Sequence, residues 1–293
     1  MDLTVSIVNW NTRDELRECL DTVLQQECPG GIDVVVVDNA SDDGSVDMLT
    51  SDFGDRLRVA ANSANLGFGA GHNPAIRTSA GRYVLLLNPD CRMLEPDMCS
   101  QMVTYMDAHP DVGILGPRVL NPDGSLQFSA RHYPTLLAGA FRHTVFGKLF
   151  PKNRFVREYL MTDWPHDVER DVDWVSGSAM LLRREMLDKI GLLDERFFMY
   201  CEDIDICRRA HDSGWMVVYY PMVQVTHRIG AASSLRPIPM IKQHHKSMLR
   251  YFIKYNSGSP RILLVPLVML ALAFRCRSLI RVARRAEGES GQL

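Results

Sequence analysis

The sequence has no C-x-x-C pair. Its seven cysteines (19, 28, 91, 99, 201, 207 and 276) are odd in number and scattered. That argues against a zinc site or disulfide framework and for reduced thiols in a cytosolic protein. No G-K-[ST] follows a glycine-rich loop, and no complete G-x-G-x-x-G occurs, so neither common nucleotide fingerprint is present. Met1-Asp2-Leu3-Thr4 lacks a basic region ahead of a long apolar stretch and enters a strand-like run directly, so no signal peptide is expected. Charge of one sign is lacking too: 33 Lys/Arg stand against 35 Asp/Glu, net −2, which excludes a uniformly basic nucleic-acid binder. There is no internal repeat or low-complexity tract, and the 20 glycines and 15 prolines keep no collagen-like period. The apolar run Ile262–Phe274 stops at 13 residues. As a helix it reaches about 20 Å, short of the roughly 30 Å of a bilayer core.

What is present is ordinary globular material. The 293 residues are 46% apolar and 23% charged, enough for a sizeable core. The length suggests one large α/β domain with an appendage. The charge is unevenly placed: from Lys242 to Leu293 ten Lys/Arg face two Asp/Glu, net +8, which leaves −10 on residues 1–241. Arg275, Arg277, Arg281, Arg284 and Arg285 directly follow the short apolar run. An apolar stretch backed by arginines suits an interfacial anchor on an anionic membrane surface, with a buried core helix as the other reading.

Strands and helices alternate from the start. Leu3–Asn9 reads as a strand, and Thr12 as the N-cap of a helix through Gln26 with Leu16, Leu20, Val23 and Leu24 on one face. Ile32–Val37 and Arg82–Leu87 are continuous apolar runs, as buried parallel strands are. Helices are expected at about 43–51, 68–79 and 95–108, and strands at 57–61 and 112–119. This order predicts a parallel sheet with helices on both faces and ligands beyond the carboxyl ends of the strands. Residues 131–171, rich in Pro, aromatic and basic residues, read as an irregular insertion with short helices, and order returns at Val172–Arg183. The chain from about Pro237 reads as helical.

Two polar clusters fall at predicted strand ends and a third just ahead of a helix. The first joins Asn9-Trp10-Asn11 to Asp38-Asn39, amides and a carboxylate suited to a base and ribose, although Asp and Asn also form plain turns. The nearby loop Asn65–Asn73 opens a helix, and its glycines permit close backbone approach by a phosphate. The second cluster is Asn88-Pro89-Asp90, whose carboxylate suits Mg²⁺ or Mn²⁺, with His227 downstream as a nitrogen ligand. In the third, the aromatic run Phe197–Tyr200 leads into Glu202, Asp203 and Asp205. Asp203 there suits a general base or a first-turn helix acid, and Asp205 suits pairing with Arg208 or Arg209.

Taken in order, these pieces resemble the family 2 glycosyltransferases, over about residues 3–230. The resemblance rests on Val8-Asn9-Trp10-Asn11, Val37-Asp38-Asn39-Ala40-Ser41-Asp42-Asp43-Gly44-Ser45, Asn65-Leu66-Gly67-Phe68 and Leu87-Asn88-Pro89-Asp90. It continues through Ser176-Gly177-Ser178-Ala179-Met180, Leu193–Phe198, Glu202-Asp203 and Val225-Thr226-His227. The chain looks most like the rhamnosyltransferase branch, in which Asn-Pro-Asp replaces Asp-x-Asp. His72-Asn73-Pro74 departs from the usual pattern.

The resemblance implies an α/β, GT-A nucleotide-sugar-binding (Rossmann-like) fold with a mixed central sheet. Residues 1–236 would form the catalytic domain, and residues 237–293 a helical, basic, membrane-associating extension. It implies inverting, metal-dependent transfer of a sugar, rhamnose from dTDP-rhamnose first and UDP- or GDP-sugars next, onto a cell-surface or polyprenyl-diphosphate-linked glycan. The enzyme would be cytoplasmic, peripheral on the inner face of the membrane, with no nucleic-acid partner. Asp203 would be the base, with Glu202 beside it. Asp38 would meet the nucleotide, with Asn9, Asn11, Asn39, Asn65, Gly67 and Asn88. Asp90 and His227 would hold Mg²⁺ or Mn²⁺. Gly177, Ser178 and Trp174 would lie near donor sugar or acceptor. Two other classes were weighed: a nucleotidyltransferase, whose first loop would be glycine-rich, and a non-catalytic glycan-binding module.

Overall fold

The computed structural model describes residues 1–142, 147, 149–228, 230 and 236–290, with side chains to 285. Strands β1 (Leu3–Asn9), β2 (Ile32–Asp38), β3 (Arg58–Ala61) and β4 (Tyr83–Leu87) run parallel in the order β3-β2-β1-β4. β1, β2 and β4 are buried over most of their length because helices cover both faces, which explains their continuous apolar sequences. Register sets the first polar cluster. Asn9 is opposite Asp38 in the β1–β2 ladder, so both side chains emerge at one end of the sheet. A one-residue slip would turn each to the other face.

The sheet then changes direction. β10 (Ala179–Arg183) lies antiparallel to β4, with Ala179 opposite Leu87. β6 (Val112–Leu120) and β11 (Met216–His227) follow as a parallel pair, and β5 (Cys91–Met93) closes the edge antiparallel to β11. In that last pair His227 faces Cys91. The short strand β8 (Arg170–Asp171) also joins β11, and β7 (Ala130–Arg131) pairs with β9 (Trp174–Val175) in a separate ribbon. The sheet is therefore mixed, as in the GT-A fold.

Two core clusters flank it. On one face α1 (Arg13–Val23) and α4 (Met98–Ala108) bury Leu16, Leu20, Met102 and Met106 against β1 and β4. On the other, α3 (Phe68–Thr78), α7 (Arg184–Ile190) and α8 (Glu202–Asp212) bury Ile76, Met186 and Ile206. α1 is not capped as expected: the Thr12 hydroxyl donates to Asn9 Oδ1 (2.7 Å), and Asp43 accepts the Arg13 N–H from across the loop (2.8 Å). The helix expected at 43–51 is one α turn, α2 (Ser45–Met48), followed by a wider turn Leu49–Phe53.

Within 131–171 the described residues include two short helices, α5 (Leu136–Phe141) and α6 (Arg154–Leu160). Thr135 and Asn153 cap them through their side-chain oxygens. At the C-terminal end α9 (Pro237–Asn256) docks on the second core through Ser247 and Tyr251, and α10 (Val265–Ser290) packs along α9. The segment 262–274 is not a core helix. Leu267, Leu270 and Phe274 are 64%, 70% and 72% exposed, and Val268 is the buried residue of the run. The continuous helix over residues 260–285 is, by length and composition, long and apolar enough to cross a bilayer. The 13-residue apolar count underestimates it because the helix runs on through the arginines.

Candidate active site

The carboxyl ends of β1 and β2 form a closed polar corner. Asn9 is fully buried, and its amide donates to Asp38 Oδ2 (2.8 Å) and Ser41 Oγ (3.1 Å). The other Asp38 oxygen accepts the Ser41 N–H at 2.8 Å. Asn9 thus orients Asp38, with no spare donor to offer a ligand. Asn11 sits in the left-handed region (φ 53°) and accepts from the Asp42 N–H. Asn39 bridges to Asn62, Asn65 and the Gly67 carbonyl. Gly67 is required sterically: φ is +85°, and a Cβ there would stand 2.1 Å from the Phe198 carbonyl oxygen. That approach lets the Phe68 N–H bond Phe198 O at 2.8 Å and ties the start of α3 to the loop before Asp203.

His72 and Asn73 are structural. His72 is buried against Ser6 (2.8 Å), and burial pushes its pKa down to about 3, so the ring is neutral. Asn73 stitches α3 to Leu193 and Glu195.

The β5–β11 pairing brings Asp90 to His227, with Nε2 and Oδ1 3.3 Å apart. Gln127 orients the ring. Its amide N–H₂ donates to the His227 carbonyl (2.6 Å), so its oxygen faces Nδ1 (3.1 Å) and can accept the proton there. In the neutral ring Nε2 is then the nitrogen left to act as a ligand, with Asn88 Nδ2 3.3 Å away. Asp90 Oδ1 is buried without a hydrogen-bond partner. An unpartnered carboxylate oxygen beside an imidazole nitrogen is a donor set that fits a divalent cation. Cys91 Sγ lies in the same group, all within 4.8 Å. Burial pushes that thiol well above its ordinary pKa and it donates to Ser178 O, so the donors present are oxygen and nitrogen.

Asp203 opens α8, half-buried. It accepts N–H bonds from Ile204 (2.9 Å) and Gly177 (3.3 Å). Burial raises its pKa, and those two bonds and the charge of Arg131 pull against the rise. Glu202 is buried, with Oε2 unpartnered, and burial and the neighbouring Asp203 charge push its carboxyl well above the usual range. Loop Ser176–Ser178 links the two centres: Gly177 touches Asp203, while Ser178 O accepts from the Asn88 N–H (2.8 Å) and from Cys91. A Cβ on Gly177 would lie 3.4 Å from both Asp203 and Phe68. Trp174 does not line the site: it is 4% exposed, Nε1 donates to His132 O, and Arg131 covers its ring at 4.9 Å. No open face remains for an acceptor sugar.

Sequence reasoning missed Gln127 and Arg131. Both come from the stretch between β6 and β9, which carries no periodic signal.

Residues 2–250 match the family described as "Glycosyltransferase like family 2". The chain is a family 2 glycosyltransferase. A Mycobacterium tuberculosis protein named N-acetylglucosaminyl-diphospho-decaprenol L-rhamnosyltransferase is 32% identical over 265 residues, 87% of this chain and 85% of that one. The Escherichia coli rhamnosyltransferase WbbL is 27% identical over 203 residues, 67% of this glycosyltransferase and 73% of WbbL. Among solved structures, a Pyrobaculum calidifontis mannosyltransferase in complex with GDP-Man and Mn²⁺ superposes with TM-score 0.59 at 18% identity, over 97% of this chain and 75% of that one. That likeness confirms the GT-A fold of this glycosyltransferase.

Proposed function

We propose that this glycosyltransferase transfers L-rhamnose from dTDP-rhamnose, with inversion and with a divalent cation, onto a polyprenyl-diphosphate-linked sugar at the inner face of the cytoplasmic membrane. The observation that carries the reading is the short loop Ser176–Ser178, which bonds Asn88 and Cys91, the residues flanking Asp90, and also Asp203. On this reading the leaving-group centre and the base would lie on either side of one backbone turn. The rhamnose and the lipid-linked acceptor follow the name of the M. tuberculosis relative. The cation follows the fit of the Asp90 and His227 donor atoms.

The residues divide the work. Asp38, held by Asn9 and Ser41, takes the nucleotide base at the β1–β2 end, and the Asn39–Gly67 web shapes that corner. Asp90 and His227 would hold a divalent cation, which would supply Lewis-acid stabilisation to the departing diphosphate. Asp203 takes the acceptor hydroxyl's proton as that oxygen attacks the opposite face of the sugar. An ordinary aspartate has a pKa of about 3.9 and is a weak base. Burial strengthens Asp203 as a base, while the Gly177 and Ile204 N–H groups favour its charged form. Burial and the neighbouring Asp203 charge favour the neutral form of Glu202, which would spare Asp203 a second adjacent charge. α10 rests its exposed apolar side in the membrane interface with its arginines toward anionic headgroups.

The test is nucleoside-diphosphate release from a panel of dTDP-, UDP- and GDP-sugars with Mn²⁺ or Mg²⁺, with and without lipid-linked acceptor. Acceptor-dependent release from dTDP-rhamnose is expected, with loss in EDTA. Asp203→Asn should lower turnover by about 10²–10⁴-fold or more while donor binding persists. Release from a UDP- or GDP-sugar alone would replace the donor. Near-normal turnover of the variant would remove Asp203 from the base role, and activity after exhaustive chelation would reject the cation.

A further inference from the structure

Arg131 and Arg142 face the Tyr159 ring, Arg275 of α10 acts on the same group, and no salt bridge to an acid joins any of the three among the described residues. Arg142 Cζ is 5.3 Å from the Tyr159 ring centre, and its Nη1 donates to the phenol oxygen at 3.3 Å. Arg131 Cζ is 5.9 Å from the same ring, and its Nε donates to Phe128 O. Arg275, from α10, packs on Met248 Sδ at 3.6 Å and lies close enough for its charge to act on both Arg142 and Tyr159. Its Nε is buried without a hydrogen-bond partner. Among the described residues, none of the three makes an ion pair, although arginines elsewhere pair freely, as Arg82 does with Asp2 and Asp107.

Half-buried guanidiniums that repel one another and have only neutral acceptors are unfavourable as they stand. A phosphoryl group supplies what is missing: charge of the right sign and oxygens that match guanidinium forks. The place is as telling as the charge. On one side Arg131 is near enough to Asp203 to influence its carboxylate. On the other, Arg275 belongs to the helix whose outer face exposes Leu267, Leu270 and Phe274. The cluster lies between the base and the apolar surface.

We propose that Arg131, Arg142 and Arg275 hold the diphosphate of the lipid-linked acceptor, with the polyprenyl chain against α10 and the acceptor sugar at Asp203. This rests on the acceptor class proposed above and deepens it by naming the residues that read the diphosphate.

The full-length protein is titrated in EDTA, so that no metal-held diphosphate collects beside Asp90. The probes are geranyl diphosphate and, separately, phosphatidylcholine vesicles containing phosphatidylglycerol. Geranyl diphosphate should bind the wild type, and R142Q/R275Q should bind it about 10- to 100-fold more weakly. R142K/R275K should recover part of the loss, with unchanged circular dichroism throughout. If the double variant loses its fold, R275Q alone carries the test. Equal binding by wild type and a folded Gln variant overturns the proposal. Vesicle binding that R142Q/R275Q abolishes, with no response to geranyl diphosphate, also overturns it and gives the arginines to a lipid headgroup. No sugar moves in this titration. Diphosphate binding that survives a failed rhamnose transfer would therefore sink the donor reading alone.

Discussion

Asp203 is set by neighbours of opposite effect. Burial disfavours its charged form, while two backbone N–H groups and Arg131 favour it. Arg131 is the adjustable one. Replacing it by Met removes a cation, so the Asp203 pKa must rise further. If Asp203 is the proposed base, activity at saturating acceptor follows its ionised form, and the acid limb of the kcat profile should move to higher pH in Arg131→Met. An unmoved limb would mean that Arg131 acts on binding alone. The same scale shows what residue types disclose. Asn9, Asp38, Asp90 and His227 stand out because polar groups end apolar strands, and Asp203 because it follows an aromatic run. Their neighbours do not. Nothing local marks Gln127 as the residue that orients the His227 ring, because the two are 100 positions apart. Thr12 looks like a helix cap, but its hydroxyl is taken by Asn9.

The helix that carries Asp203 is anchored by the element after the sheet. Asp205, wholly buried in α8, accepts from Arg209 (2.9 Å), Lys254 (2.5 Å) and Tyr255 (2.8 Å), and Lys254 also reaches Asp194 (2.8 Å). Asp194 is held well below the usual carboxylate range: hydrogen bonds from Arg196 and Lys254 outweigh its partial burial. The i,i+4 pair with Arg209 is legible in the sequence, whereas Lys254 is 49 residues away. Lys254→Met leaves Asp205 two partners and should cost about 1–3 kcal/mol, the scale of a charged hydrogen bond. For a chain of this size that lowers Tm by roughly 2–4 °C per kcal/mol. An unchanged Tm would show that α9 does not brace α8. Elements also differ in how far pattern reveals them. β1, β2 and β4 are evident as apolar runs, but β5 is three residues long and exists only because β11 returns beside it.

Across the whole molecule, basic charge and exposed apolar surface collect on one appended helix. If α10 rests on lipid, Leu267→Glu/Leu270→Glu/Phe274→Glu should abolish co-sedimentation with phosphatidylglycerol vesicles. The fold should be unaffected, because these side chains point away from the protein. Retained sedimentation would place the membrane contact elsewhere. The sequence by itself determined the alternating layers, the strand-end clusters and the charge asymmetry. Each is a local matter of periodicity, turn chemistry or composition. Only the tertiary structure decided that β10 runs against β4, that Trp174 is core, and that Arg131 and Arg142 meet at Tyr159. It also decided that 262–274 faces outward. Those outcomes depend on pairing between distant segments, where register and burial are settled by packing rather than by any short stretch of chain.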